Sequence, residues 1–289
     1  MTYHQPVLLS EVLEFFDPKP NQVFLDATLG HAGHSIEFLK KGSTVYGLDA
    51  DPSNQKIAID RINSLNLQEK FIPLTGNFSR IFDIWNKKIS QPVDGLLVDL
   101  GLSINQQSGD SRGFSFSDDS SLDMRLNPKT QSLTAEEIIN TWDKNQLYEI
   151  FSKYAQEKLA KPLVFEIIKA RQQKPIKNAQ YLSQIVENYY QKKHYSFRHH
   201  PATKIFLALR ITVNHEFDNL KKILDSSLKI TKKSGHIAII SFHSGEDRIV
   251  KQFISKHRLK SRKILPTHQE VLRNPPSRSA VLRVFENSL

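Results

Sequence analysis

The residues of this 289-residue chain best suited to chemistry are acids that close short apolar runs. The first group is Asp26-Ala-Thr-Leu-Gly30-His-Ala-Gly33-His-Ser35. Glycines in such a loop let the backbone turn sharply and approach a ligand closely. The second acid is Asp49, at the end of the next run, where a carboxylate can bind both hydroxyls of a ribose. The glycine spacing is not G-x-G-x-x-G, which weakens a pyrophosphate-bearing dinucleotide. Adenosine without a pyrophosphate fits better and points to S-adenosylmethionine. The plainer reading of the same residues is a strand–turn–helix with a satisfied surface aspartate. The third group, Asp99-Leu-Gly-Leu-Ser103-Ile-Asn-Gln106, ends a further apolar run. In open α/β sheets ligands bind outside the carboxyl ends of strands. Polar groups at 99, 103, 105 and 106 are then placed to face a substrate; a turn capped by Asp99 is the alternative.

Other polar clusters are less specific. In Ile240-Ser-Phe-His-Ser-Gly-Glu-Asp-Arg248 the simpler reading has Ser244 capping a helix, closed at Asp247, and His243 bonded to the backbone. Arg112-Gly-Phe-Ser-Phe116 and Asp123-Met-Arg125 suit stacking on a base and contact with phosphate, or equally an arginine–aspartate structural pair. Lys192-Lys-His-Tyr-Ser-Phe-Arg-His-His200 and Lys256-His-Arg-Leu-Lys-Ser-Arg-Lys263 could track a phosphate backbone or be solvated faces. His199 and His200 are adjacent, not at helical ligand spacing, so no metal site is assigned.

Strand and helix signals alternate through the part of the chain that must position these residues. Gln22–Ala27, Ser43–Asp49, Phe71–Thr75 and Val93–Leu100 read as strands, with helices over Gly33–Lys41 and after Asp51-Pro52. The last of these strands is apolar enough to be buried on both faces. The alternation predicts an α/β fold with a doubly wound parallel sheet. From Ser108 to about Phe197 only helical spacing recurs, opened by the capping-box pattern Thr134–Glu137. After Pro201 a long apolar stripe runs through Ile205, Leu209, Val213, Phe217, Leu220 and Leu224. Ser234-Gly235 reads as a turn, His236–Phe242 as a fifth buried strand and Val281–Phe285 as a final edge strand. The expected organisation is a first sheet part over 1–107, a helical insertion over 108–200 and a second sheet part over 201–289.

Composition narrows the class. Hydrophobic residues at 39% and charged residues at 24% are ordinary for a globular chain. No run approaches a membrane span, and Glu11 and Glu14 interrupt the first apolar stretch, so no signal peptide is read there. The absence of cysteine excludes disulfides, thiolate metal sites and a thiol nucleophile. A cytoplasmic protein is expected. The net charge of +10 favours a polyanion, nucleic acid before an anionic membrane.

Taken together, the strings resemble one family, the bacterial small-subunit rRNA cytosine-N4 methyltransferases. The similarity runs through His4–Leu9, Asp26–Ser35, Leu48–Pro52, Gly76–Phe78, Val98–Gly101, Arg112–Phe116, Leu122–Arg125, His200–Thr203, Ala208–Arg210, Val213-Asn214, Ser241–Ser244, Glu246–Lys251, Asn274-Pro275 and Arg278-Ser279. The resemblance implies a Rossmann-like, S-adenosylmethionine-dependent methyltransferase sheet with an inserted all-helical domain; the basic insertion and the Lys256–Lys263 run are expected to grip RNA. It implies cofactor positions at Ala32, Gly33, His34, Asp49, Phe78, Asp99 and Gln106. It further implies methylation of the exocyclic N4 amine of a cytosine in the decoding centre of 16S rRNA, with the small ribosomal subunit as partner. No membrane partner is expected, and a homodimer is compatible with this reading. Ala32 stands where the family usually carries a second glycine, and Ile104-Asn105 replaces a serine or threonine followed by proline or tyrosine.

The reaction would be in-line attack by an amine whose lone pair is delocalised into the ring. Acceptors beside the amine localise that pair and take its proton. Asp99 and Ser103 are the expected catalytic groups; Asp99 could instead serve only the cofactor. Two other readings stay open: a catalytically weak rRNA-binding assembly factor, and a nicotinamide-dependent oxidoreductase, which the missing fingerprint and the basic charge disfavour.

Overall fold

The apolar runs pair into one seven-stranded sheet. Its strands are β1 (Val23–Asp26), β2 (Thr44–Asp49), β3 (Phe71–Thr75), β4 (Val93–Asp99), β5 (Thr231–Ser241), β6 (Ser261–Ile264) and β7 (Val281–Glu286) in the computed structural model, which describes residues 5–101, 111–195 and 200–288. The order is β3-β2-β1-β4-β5-β7-β6. Strands β1 to β5 are mutually parallel, and only β7 runs against its neighbours. This is the doubly wound, Rossmann-like arrangement expected for the α/β class, with β1 and β4 side by side where the strand order reverses.

Double burial explains the apolar character of the central strands. On β4 and β5, Leu96, Val98, Ile237 and Ile239 pack on one face of the sheet. Leu97, Ala238 and Ile240 pack on the other, as the two-residue period of a strand requires. That second face is covered by α1 (Leu9–Phe16), α2 (Gly33–Lys40) and α3 (Pro52–Ser64), through Val12, Phe16, Ile36, Leu39, Ala58 and Ile62. The first face is covered by α4 (Ile81–Lys88) with two later helices. Helix α3 starts where Asp51-Pro52 predicts: Asp51 Oδ1 accepts from Ser53 N at 2.9 Å, with proline at the first helical position.

Between the two sequence pieces of the sheet lies a compact helical unit, Ile104–Glu216. Its described helices are α5 (Ala135–Thr141), α6 (Lys144–Lys153), α7 (Ala160–Gln173), α8 (Ala179–Lys192) and α9 (Thr203–Asn214). Their core includes Leu147, Phe151, Leu163, Ile167, Leu182, Val186, Ile205 and Leu209. The unit thus differs from the expected span 108–200, because α9 packs into the helical core. The stripe from Ile205 to Leu224 is also not one helix. His215 takes a left-handed φ of 51°, and α10 (Glu216–Ile230) starts after it. Leu220, Ile223 and Leu224 of α10 cover the sheet with Val250 and Phe253 of α11 (Ser244–Lys256). The 3.6-residue period continues across the break, so periodicity alone cannot see it.

Two strand expectations are corrected. Val281–Glu286 is interior, bonded to β5 and β6. The edge is Ser261–Ile264, whose exposed residues give no apolar signal. Ser234-Gly235 is not a turn ending a segment but an irregularity within β5: Ser234 has φ 59°, and the β4–β5 register shifts there. A short helix, α12 (His268–Arg273), precedes β7.

Candidate active site

The carboxyl ends of β1, β2 and β4 bring Asp26, Asp49 and Asp99 to the same edge of the sheet. Each acid has a different task. Asp26 ties strand to helix: Oδ1 accepts from Thr28 N at 3.2 Å and Oδ2 from the Ser35 hydroxyl at 2.7 Å. Asp49 holds the glycine loop: Oδ2 accepts from Gly30 N at 2.8 Å and Oδ1 from Asp51 N at 2.7 Å. The Asn54 side chain also hydrogen-bonds this carboxylate. Asp99 is the least satisfied. Its backbone N–H donates to Thr28 Oγ1 at 2.6 Å, but its side-chain Oδ1 is buried without a hydrogen-bond partner among the described residues. Asn54 Oδ1, near Asp49, is likewise buried and unpartnered.

The loop between β1 and α2 is shaped by sequence. Gly30 has φ 51°, and a Cβ there would meet open space, with no atom nearer than Thr28 O at 3.9 Å. Gly33 answers a different need: a Cβ would come within 2.5 Å of Pro6 Cγ. Ala32 is fully buried and adopts φ 60° and ψ 28°, the left-handed region, immediately before α2. Arg61 of α3 donates to the His31 carbonyl at 2.9 Å and holds the loop from outside. The His34 ring turns away from the loop; its Nε2 is 3.0 Å from Val7 O and its Nδ1 is 3.9 Å from Asp99 Oδ2. Phe78 follows β3, and Gly76 N donates to Asp49 O at 3.0 Å, bringing that turn beside Asp49. Ser103, Asn105 and Gln106 lie outside the described residues.

The electrostatics follow from burial. Burial pushes the Asp26 and Asp49 carboxyls up to about 6. Asp99 is raised well above the carboxylate range by burial first, then by the negative charges of Asp26 and Glu246. Burial pulls the His34 imidazole down to about 4. Among the described residues none of the three aspartates is paired with a lysine or arginine. The carboxyl ends of these strands therefore present acceptors. They suit a ligand rich in O–H and N–H donors, such as ribose hydroxyls, an ammonium or an aromatic amine.

Sequence reasoning missed Thr28, which links Asp99 to the first loop, and Glu246, a buried acid at the start of α11. Glu246 Oε2 accepts from Phe242 N at 2.8 Å and His243 N at 3.3 Å. The helix start is thus closed by Glu246 and not by Asp247, which instead forms a two-pronged pair with Arg283 at 2.6 and 3.1 Å. The spacing from His243 to Glu246 was the available signal.

In the helical unit, the arginine and aromatic strings serve the fold. Arg112 Nη1 donates to the carbonyls of Arg125 and Leu126 at 2.8 and 2.9 Å. Arg125 pairs with Asp123 at 2.6 Å. Phe116 stacks on His200, with centroids 4.1 Å apart and planes at 9°. Of the two basic runs, Lys192 and Lys193 are exposed, while Ser196 to His199 lie outside the described residues. Lys256, Arg258, Lys260, Arg262 and Lys263 are exposed around β6.

Residues 1–288 match the MraW methylase family. The chain is 37% identical to "Ribosomal RNA small subunit methyltransferase H" of Buchnera aphidicola, covering 99% of this chain and 97% of that protein. It is 39% identical to the protein of the same name from Persephonella marina, covering 98% and 99%. The protein of that name from Geobacter sulfurreducens is 35% identical over 99% of both chains.

Proposed function

This chain belongs to the MraW methylase family, and from that premise we propose that it methylates small-subunit ribosomal RNA with S-adenosylmethionine. The observation that carries the cofactor is the set of acceptors at one end of the sheet: aspartates closing β1, β2 and β4 without a lysine or arginine partner among the described residues, and unpartnered buried oxygens on Asp99 and Asn54. When bound, the cofactor supplies a methyl group on a positively charged sulfur. Asp49 holds the ribose hydroxyls; the Ala32–Gly33–His34 backbone, Phe78 and Gln106 complete the cofactor site. Asp99 and Ser103 face the amine that receives the methyl group.

The proposed substrate atom is the N4 amine of a cytosine in the decoding centre of 16S rRNA, presented within the small subunit in the cytoplasm. Such a base must be splayed out of its stack to be reached. The helical insertion and the Lys256–Lys263 run are proposed to grip the surrounding RNA, because exposed cations neutralise phosphates. Among the described residues no helix is long and apolar enough to cross a membrane.

The test is to incubate the protein with S-adenosylmethionine and small subunits lacking the modification, then to weigh the digested nucleosides. New N4-methylcytidine that disappears with Asp49→Ala is the expected result. Methylation of another nucleoside would overturn the substrate and keep the enzyme class. Tight subunit binding with no methylation of any nucleoside would overturn the enzyme reading.

A further inference from the structure

His34 has one fixed nitrogen and one open one. Val7 O can only accept, so the Nε2 that lies 3.0 Å from it carries the hydrogen. In a neutral ring Nδ1 is then a bare acceptor, and it faces Asp99 Oδ2 at 3.9 Å. The ring is buried, at 5% exposure. Two lone pairs facing each other repel, so a proton between them is favoured. The groups around the Asp99 carboxyl point the same way. Asp26 on β1 and Glu246 on α11 both disfavour its anion, and no lysine or arginine pairs with it among the described residues. The proton on Oδ2 leaves Oδ1, buried and without a partner, as the accepting atom.

We propose that His34 is a positioning residue that stores the reaction's proton behind Asp99. The amine proton passes to Asp99 Oδ1 as the Oδ2 proton passes to His34 Nδ1. This rests on the methyl-transfer reading above. The N–H bond of the methylated amine breaks and Oδ1–H forms; Oδ2–H breaks and Nδ1–H forms. No electron leaves the system. Asp99 begins and ends neutral, and the positive charge released by methyl transfer ends on the imidazole, whose Nε2–H stays on Val7. A weak base is sufficient: an amine that has gained a methyl while keeping both protons has lost conjugation with its ring and is strongly acidic. The 3.9 Å separation is too long for a hydrogen bond, and such contacts tighten when substrate fills the site.

The role separates from cofactor contact by experiment. In the free protein, nitrogen NMR of labelled histidine, assigned with His34→Gln, should show a neutral ring with hydrogen on Nε2. Its Nδ1 signal should move in Asp99→Asn. In turnover, His34→Gln, whose amide can still donate to Val7, should lower kcat roughly tenfold or more and leave the Kd for S-adenosylmethionine within about twofold. Hydrogen on Nδ1 in the free protein overturns the proposal, without use of the variant's activity. So does a His34→Gln variant that loses cofactor affinity at unchanged kcat. A wild-type protein with the expected ring state that methylates no rRNA overturns the functional reading instead.

Discussion

Ala32 holds a backbone conformation that costs an L-residue about 1–2 kcal/mol, with its methyl group fully buried. Glycine would relieve that strain, but lose about 0.8 kcal/mol of methyl burial and roughly 0.5–1 kcal/mol of chain entropy. The effects nearly cancel. Ala32→Gly should therefore leave stability within about 1 kcal/mol of wild type in denaturant unfolding; a loss above that would mean the methyl packs better than its strain costs. The buried acids give signed pH effects. Asp26 titrates near 6 when folded against an ordinary 3.8. The unfolded chain thus releases this proton first, and stability falls as pH rises from about 4 to about 6, then levels. Asp26→Asn should gain up to about 2–3 kcal/mol near pH 7.5, since the Ser35 hydroxyl can reverse its bond; the gain should vanish near pH 4 in unfolding titrations. Asp49, also near 6, accepts more strongly from ribose hydroxyls when it is ionised. The Kd for S-adenosylmethionine should rise as pH falls below about 6, and Asp49→Asn should flatten that dependence. These acids were legible in the sequence because a charge ending an apolar run is conspicuous. Their partners were not: Thr28, just after β1, reaches Asp99 on the neighbouring β4, and the carboxylate of Glu246 bears on Asp99 from a helix far along the chain.

At the level of elements, β1 to β4 were legible almost to the residue: double burial makes the central strands runs of apolar side chains, and the edge strand β3 keeps Phe71 and Leu74 buried. Strand β6 was hidden: it is a lysine- and arginine-bearing edge, and its partner β7 lies between it and β5. Strand order depends on pairings between distant segments, which no local pattern records. The helical unit shows a related limit. The Leu122–Arg125 string and Val213-Asn214 were visible as strings, but not as partners. Asn214 Oδ1 accepts from Leu126 N at 2.9 Å, while its Nδ2 donates to the carbonyls of Met124 at 2.8 Å and Arg210 at 2.9 Å. Met124 itself turns with φ 60°. Asn214→Ala would strand these buried groups, and each such group costs about 1–3 kcal/mol. Thermal unfolding should show a clear loss, whereas exposed Lys144→Ala on α6 should change little.

For the whole molecule, the net +10 charge is distributed through both units, and its role is read from salt. Reversing Lys192 and Lys193 to glutamate should weaken binding to small subunits and make its salt dependence shallower, by about 0.7–0.9 in log–log slope for each phosphate no longer neutralised. Equal slopes for variant and wild type would assign those lysines to solvent. The division of the chain has another consequence, for the order in which it folds. Strands β1 to β4 leave the ribosome together, but β4 pairs with β5, Val98 meeting Ile239, only after the whole of Ile104–Glu216 has followed. The helical unit is one continuous stretch whose helices pack on neighbours close in sequence, so it can close during that interval. The half-sheet waits with a long apolar strand at its open border, which is the kind of border through which nascent chains join one another. Slow or interrupted translation between β4 and β5 should therefore yield aggregates that carry a folded helical unit, and the yield of native protein should depend on how quickly the last part of the chain arrives.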